Sequence, residues 1–559
     1  MTNPTGLPEQ SRDGKARAAA LACLSFDDVT PTAVVEFVSR GRCLFVGEEA
    51  RALDAARRAD PGLSCTVAVT VRALPATAVV DGIAVVRAGR PTLRGALGDF
   101  EASLGAESGA TTVGALLSPP VDRFDLVVDL CDPPLLQQAM PPLGYYAPRD
   151  AAELEAVLAV LPDMRGEFEK PKFFDYDPDI CAHGRSGKRG CTRCIDACPA
   201  EAIVSIGERI QVNPYLCQGG GGCATACPTG AITYAYPQAA DLLGILRQAL
   251  QAYRDGGGAA PAVLFHDEAS REAVFGELAS MPERVIPVPV EEVGSVGMDT
   301  WLTLLAYGAD AVVVATADRT PAQLVEAAQD QLVTTRAILC GMGFDEGCVR
   351  LVNVEQAAAA RAALAALPTG PARPPATFVA PSDKRGRLRL ALQHLYAYAP
   401  APRRSIPLQA GAPFGEVKVD AQACTLCMSC VSSCPTHALQ DGRGLPQLNF
   451  REWSCVQCGL CERTCPESAI TLNPRFLYDL EVREKPRLLH EEQPLCCVSC
   501  GKPFATRSML DVLEKKLAGH WMFQTEESRR RLLMCEDCRV RDMFSAQHRA
   551  GRPGPGTGA

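Results

Sequence analysis

The sequence has no apolar run near the 18 or so residues that a membrane-crossing helix needs, so no direct membrane insertion is expected. A basic excess is missing too. The 559 residues carry 56 Lys and Arg against 65 Asp and Glu, a net charge of −9, which argues against a nucleic-acid or membrane-surface binder. No Ser-His-Asp set, Walker loop or paired-carboxylate motif is present, and no G-x-G-x-x-G fingerprint surrounds Gly47, so independent hydrolytic or nucleotide chemistry has no support. The seven histidines show no ligand spacing. The opening residues, MTNPTGLPEQSRDGKARAAALACLSFDD, lack a basic segment leading into an apolar core, so a cytoplasmic location is expected.

What the chain has in plenty is cysteine, 26 residues in all. In a compartment that keeps thiols reduced these read as metal ligands before disulfides, and their spacing decides which metal. The length implies about three to five domains. The pattern is multidomain α/β and α+β, with two bacterial-type dicluster ferredoxin modules inserted between small α/β domains and a C-terminal four-cysteine metal-binding segment. A small α/β domain with a loose N-terminus is expected over 1–150. It includes the strand CLFVG (43–47), a hairpin at Asp81-Gly82 and a buried strand in FDLVVDLC (124–131). A linker (151–180) leads to a first cysteine module (181–240). An α/β domain (241–368) follows, with strands AVLFH (262–266), RVIPVPV (284–290) and AVVVAT (311–316). A Pro-rich linker (369–415) precedes a second module (416–478), a zinc-ribbon-like segment (479–550) and a disordered tail (551–559).

The clearest motif is CTLCMSCVSSCP (424–435) with CVQCGLCERTCP (455–466). Both satisfy C-x2-C-x2-C-x3-C-P, and in this arrangement the last cysteine of each half ligates the other half's cluster. One [4Fe-4S] cluster is therefore expected on Cys424, Cys427, Cys430 and Cys465, and another on Cys455, Cys458, Cys461 and Cys434. Thiolates suit the task as soft, charged donors to iron. Zinc fits poorly, because its sites use two knuckles and not interleaved quartets.

The first module departs from the motif twice. Its upstream run is Cys181, Cys191, Cys194 and Cys198 before Pro199, with Lys188 where the first cysteine should stand. Its downstream run, LCQGGGGCATACPTG (216–230), has Gly220 in place of a cysteine. Cys181 can reach back through AHGRSGKRG to complete a [4Fe-4S] site with Cys191, Cys194 and Cys227. Interleaving leaves Cys198, Cys217 and Cys223, the three thiolates that a [3Fe-4S] cluster needs. A four-iron cluster with water or a foreign side chain on the exposed iron, and an empty site, remain the alternatives. His183, near Cys181, is expected to find a solvent or backbone partner.

Near the C-terminus, CVSCGKPF (497–504) and MCEDCR (534–539) form two C-x2-C knuckles separated by 34 residues. Four thiolates from Cys497, Cys500, Cys535 and Cys538 suit structural zinc most simply, with a rubredoxin-like single iron as the alternative. Cys23, Cys43, Cys65, Cys131, Cys340, Cys348 and Cys496 read as packing residues.

Taken with their flanks, GEFEKPKFFDYDPDICAHGRSGKRGCTRCIDACPAEAI (166–203) and LCQGGGGCATACPTGAITYAYP (216–237) resemble the large cytoplasmic ferredoxin-type proteins of proteobacteria. Those occur among the accessory proteins of molybdenum- or tungsten-dependent formate dehydrogenases. FDLVVDLCDPPL (124–135), VGMDTWLTLLAYGA (296–309) and the C-terminal knuckles share the likeness, which spans most of the chain. The resemblance implies an electron-transfer role with formate dehydrogenase as the favoured redox partner. Residues 284–354 also look like the delta subunit of methanogen hydrogenases, with Val290 and Ala317 where that family has cysteines. Two other functions fit the motifs: an electron-transfer subunit of a larger oxidoreductase, and a maturation scaffold for a molybdenum enzyme.

Overall fold

Alternate residues of the strand Arg42–Gly47 feed two separate cores. Cys43 and Phe45 pack on one face of the sheet, Leu44 and Val46 on the other. Burial on both faces is what a parallel sheet demands, and explains the continuous apolar run. The computed structural model describes residues 11–71, 75–105, 111–277 and 281–550; the tail 551–559 lies outside them. The chain forms two compact units, one of residues 1–178, 192–206 and 210–400 and the other of residues 179–191, 207–209 and 401–559.

The first unit contains both α/β sheets. Six strands order as Tyr145–Tyr146, Leu126–Asp129, Arg42–Gly47, Ser64–Thr70, Ile83–Ala88 and Ala76–Val80, parallel except at the last pair. That pair is the Asp81-Gly82 hairpin, whose turn residues both have positive φ (49° and 80°), as a tight primed turn requires. The second sheet is fully parallel, ordered Val285–Pro289, Ala262–His266, Ala311–Thr316 and Val349–Asn353. Its strand order reverses beside Ala262–His266, and in open α/β sheets the carboxyl edge at such a point is where other groups are received.

Two stretches expected to be loose are structured. Ser11 caps the helix Arg12–Ala22 by accepting from the Gly14 N–H at 3.0 Å. Ala16 and Ala20 of that helix are fully buried, and Asp13 accepts from Tyr253 Oη and the Ala259 N–H, both at 2.9 Å. The Pro-rich stretch after 368 is strapped to the second sheet's helices, with the Ala376 N–H donating to Ala306 O. It ends in the helix Lys384–Ala397, which buries Leu388, Ala391, Leu392 and Leu395. That i, i+3, i+4, i+7 stripe is a helical signal hidden behind the prolines.

Three buried charges meet at the start of this helix. Arg387 donates from Nε to Asp299 Oδ2 at 2.9 Å, and Lys384 Nζ donates to the carbonyls of Ala224, Thr225 and Cys227. Burial works against the charge on Asp299, but Lys384 and Arg387 outweigh it and hold the carboxyl below its usual range.

The second unit builds the sheets Ser405–Pro407, Ile470–Leu477, Gly415–Val419 and Leu439–Gly442, Leu445–Phe450, Arg487–Glu491, all antiparallel. Glu416 and Glu452 are gripped by Arg475 and Arg487, at 2.7 to 3.1 Å. A hairpin (Pro494–Cys496 with Pro503–Thr506) and the helices Arg507–Leu517, Glu526–Leu532 and Glu536–Ala550 complete it.

Asp299→Ala leaves Arg387 and Lys384 buried without their counter-ion, so the first unit should lose about 3–5 kcal/mol. Urea unfolding followed by fluorescence of the buried Trp301 checks this; a loss under 1 kcal/mol, roughly what a surface pair costs, would count against it.

Candidate iron-sulfur centres

In the second unit the ligand-bearing loops are followed by one-turn helices, Ser429–Ser432 and Leu460–Thr464. Before each, two residues flank the middle cysteine in left-handed conformation: Leu426 and Met428 (φ 53° and 60°), then Gln457 and Gly459 (φ 55° and 80°). This backbone curls the loop so that sulfurs three residues apart face one point. Cys424, Cys427, Cys430 and Cys465 line a single cavity walled by Leu426, Leu448 and Ile470. The fourth of them comes from the other half of the motif. Burial pushes the Cys430 thiol up to about 12, reinforced by Cys424, Cys427 and Cys465. Cys461 is raised by burial and then by Cys455, Cys458, Cys434 and Cys430, which gathers the second quartet. Such thiols are neutral without metal, so iron must displace their protons on binding.

Two backbone donors are repeated between the halves. The Ala438 N–H reaches Cys434 Sγ and the Ala469 N–H reaches Cys465 Sγ, each at 3.3 Å. Hydrogen bonds of this kind to sulfur raise a cluster's potential, because they favour the more negative, reduced state.

The Gly220 site lies in the first unit. Cys198, Cys217 and Cys223 line one cavity with Phe173, Pro199, Ile203 and Tyr234. Gly219 and Gly221 have φ of 77° and 75°, the same left-handed pair that flanks Cys427 and Cys458 in the intact loops. The loop thus keeps the backbone of a cluster-binding turn and lacks only the sulfur. A cavity of about 20 Å³ remains here, the same as at the Cys424 site. Burial pushes the Cys223 thiol well up, followed by the influence of Cys217, Cys198 and Cys194. The donor set and cavity fit an iron-sulfur cluster.

Close packing holds this loop from outside. A Cβ on Gly221 would lie 2.4 Å from Ser295 Cα, and one on Gly294 would lie 2.3 Å from Gly220 O. Gly294 and Ser295 follow the strand Val285–Pro289, so the carboxyl edge of the second sheet seals the glycine loop. Val290 and Ala317 stand at that same edge, both buried. Lys170 Nζ donates to Cys217 O at 2.7 Å.

The upstream run is placed differently. Cys194 and Cys227 are buried in the first unit, while Cys181 and Cys191 belong to the second. Thr192, which corresponds to Met428, has φ −123°, so this run lacks the left-handed pair. His183 is buried with Nδ1 2.8 Å from Cys191 O, a backbone partner. Within the second unit the 179–191 segment packs on the helix Leu460–Thr464: Arg463 Nη1 donates to the carbonyls of Arg189 and Gly190. A Cβ on Gly190 would lie 2.9 Å from Leu460. Cys458, raised to about 12 by burial, also feels Cys191.

The ligand atoms of Cys497, Cys500, Cys535 and Cys538 all lie within 4.8 Å of one another, the tetrahedral cage expected of one metal ion. Desolvation pushes the Cys497 thiol up, but N–H groups of Cys535, Cys500 and Ser499 outweigh it and bring it below the ordinary range. Cys496 is exposed and outside the cage, as is Cys340; Cys43 and Cys348 are buried and Cys23, Cys65 and Cys131 half-buried.

These loops define ferredoxin-type 4Fe-4S domains within the chain. Residues 423–470 match the family model of the 4Fe-4S dicluster domain, and 210–233 that of the 4Fe-4S binding domain. The chain is similar to the ferredoxin-type protein NapF of Escherichia coli strain K12 and of strain O157:H7, 36% identical over 59 residues in each case. The match covers 10% of this chain and 36% of each relative, so the chain spans about a third of the length of these curated relatives. Among the described residues, no helix is long and apolar enough to cross a membrane.

Motif spacing did not point to Lys384, Lys170 or Ser295, because each arrives from a distant segment through packing.

Backbone N–H groups favour the Cys497 thiolate, and metal must displace protons from the remaining thiols, so metal at the C-terminal cage should be retained at neutral pH and released as acid protonates the sulfurs. Cys500→Ser should move that release to higher pH. A chromogenic chelator in a pH series reads both, and release independent of pH would contradict the cage.

Proposed function

We propose that this protein passes single electrons between a redox enzyme and a carrier through a series of iron-sulfur clusters. Two [4Fe-4S] clusters sit on Cys424, Cys427, Cys430, Cys465 and on Cys455, Cys458, Cys461, Cys434. A third uses Cys181, Cys191, Cys194 and Cys227, and a [3Fe-4S] or altered [4Fe-4S] cluster uses Cys198, Cys217 and Cys223. The C-terminal cage holds zinc as a structural ion. Formate dehydrogenase is the favoured partner; what supports it is the resemblance carried by the flanks of the first module.

The observation that carries the relay is the packing of the Cys191 segment on the helix that holds Cys461. Cys191, proposed as a ligand of the first module, thereby bears on the electrostatics of Cys458, proposed as a ligand of the second. Adjacent clusters exchange electrons; isolated structural clusters have no need to approach.

The purified chain should carry more than about eight irons and give reducible paramagnetic signals at low temperature. Well below eight, with no such signal, the reading is lost. Cys427→Ala should abolish electron flow to the carrier while the partner enzyme remains fully assembled. Loss of the assembled enzyme would instead indicate a maturation scaffold, and co-purification with a catalytic chain at fixed stoichiometry would indicate a subunit.

A further inference from the structure

The corner of the cluster site that Gly220 leaves without a thiolate is not bare. A Cβ built on Gly220 would lie 3.1 Å from Met140 Sδ, nearer than to Pro199 Cγ (3.4 Å) or Leu324 Cδ1 (3.6 Å). Met140 lines the same cavity as Cys198, Cys217 and Cys223. Its backbone is tied there, the Met140 N–H donating to Pro199 O at 3.2 Å, immediately after the ligand Cys198. The thioether therefore stands about 3.1 Å from the Cβ from which a fourth cysteine's sulfur would project, on the wall of the cavity lined by the three thiols.

We propose that Met140 Sδ is the fourth, displaceable ligand of a [4Fe-4S] cluster held by Cys198, Cys217 and Cys223. This rests on the reading of those three cysteines as cluster ligands and decides between the cluster types left open there.

Chemistry and charge both favour it. A thioether is a soft donor that matches iron-sulfur clusters. The other polar side chains lining the cavity are engaged elsewhere: Tyr234 Oη donates to Gly219 O at 2.8 Å and Gln218 Nε2 to Leu216 O at 3.0 Å. The remaining wall is mainly apolar, from Phe173, Phe174, Pro199, Ile203 and Val212. A [4Fe-4S]2+ core on three thiolates and one neutral thioether carries one negative charge fewer than the four-thiolate cluster. It also carries one fewer than a [3Fe-4S]+ core on the same three thiolates. Buried charge is costly in an apolar cavity, so the thioether-capped form is the one this wall favours. The bond to a neutral donor is weak, so the fourth iron is the one that leaves first.

The test uses the full chain, prepared without oxygen, with ferricyanide as the one-electron oxidant. Oxidative loss converts [4Fe-4S]2+ to [3Fe-4S]+, Fe2+ and one electron, which ferricyanide takes up. Wild type should show the [3Fe-4S] paramagnetic signal only after ferricyanide. Met140→Leu, which keeps volume and removes sulfur, should give at least several-fold more of it than wild type at the same substoichiometric ferricyanide. Equal signals in both overturn the proposal. Gly220→Cys with Met140→Ala supplies a thiolate where the thioether stood, and should resist ferricyanide; if it loses iron as wild type does, the proposal falls even should Met140→Leu not fold. Cys198→Ala separates the two levels. If it leaves iron content and every signal unchanged, the three-cysteine reading itself has failed; if it removes the signal while Met140→Leu changes nothing, only the role of Met140 has.

Discussion

Each half of a dicluster motif must lend one sulfur to the other half's site, and the rest of this molecule is arranged around that exchange. The exchange turns two local loops into one closed object, because neither quartet is complete within its own stretch. At residues 424–465 it is visible directly, with Cys465 in the cavity of the first half. The demand is geometric before it is chemical. Loop curvature needs paired left-handed residues around the middle ligand, and non-glycine residues such as Leu426, Met428 and Gln457 accept that strain there.

This separates what was legible in the sequence from what was not. Cysteine spacing is a local property, so the second module and the C-terminal cage could be read from motif alone. The strands of both parallel sheets were equally readable, since burial on both faces leaves unbroken apolar runs such as AVLFH and AVVVAT. The helices Arg12–Ala22 and Lys384–Ala397 were not, because each sits beside Pro-rich or polar chain and owes its stability to packing. The apparent linkers were read from composition, whereas prolines here strap the chain against a core.

The glycine run illustrates the same limit from the other side. Read alone, QGGGG suggests a degenerate motif. In the fold, its first and third glycines keep the conformation of an intact cluster loop, while its neighbours Ser295 and Leu324 leave no room for larger residues. Leu324 Cδ2 stands 2.7 Å from where a Cβ on Gly222 would be. The run is therefore shaped by close approach from a sheet edge more than 70 residues away, a constraint that spacing cannot encode.

Lys384 gives that dependence an electrostatic side. Its ammonium sits among the carbonyls that end the helix Gly222–Ala226, where the helix dipole is negative and where Cys227 follows. A cluster held there would add further negative charge to that place each time it accepted an electron. The counter-charge is fixed to a helix some 160 residues downstream, behind a complete α/β sheet. The first module is thus not a portable cassette: cut out at its motif boundaries, it would leave behind both the cation that offsets its charge and the sheet edge that seals its loop.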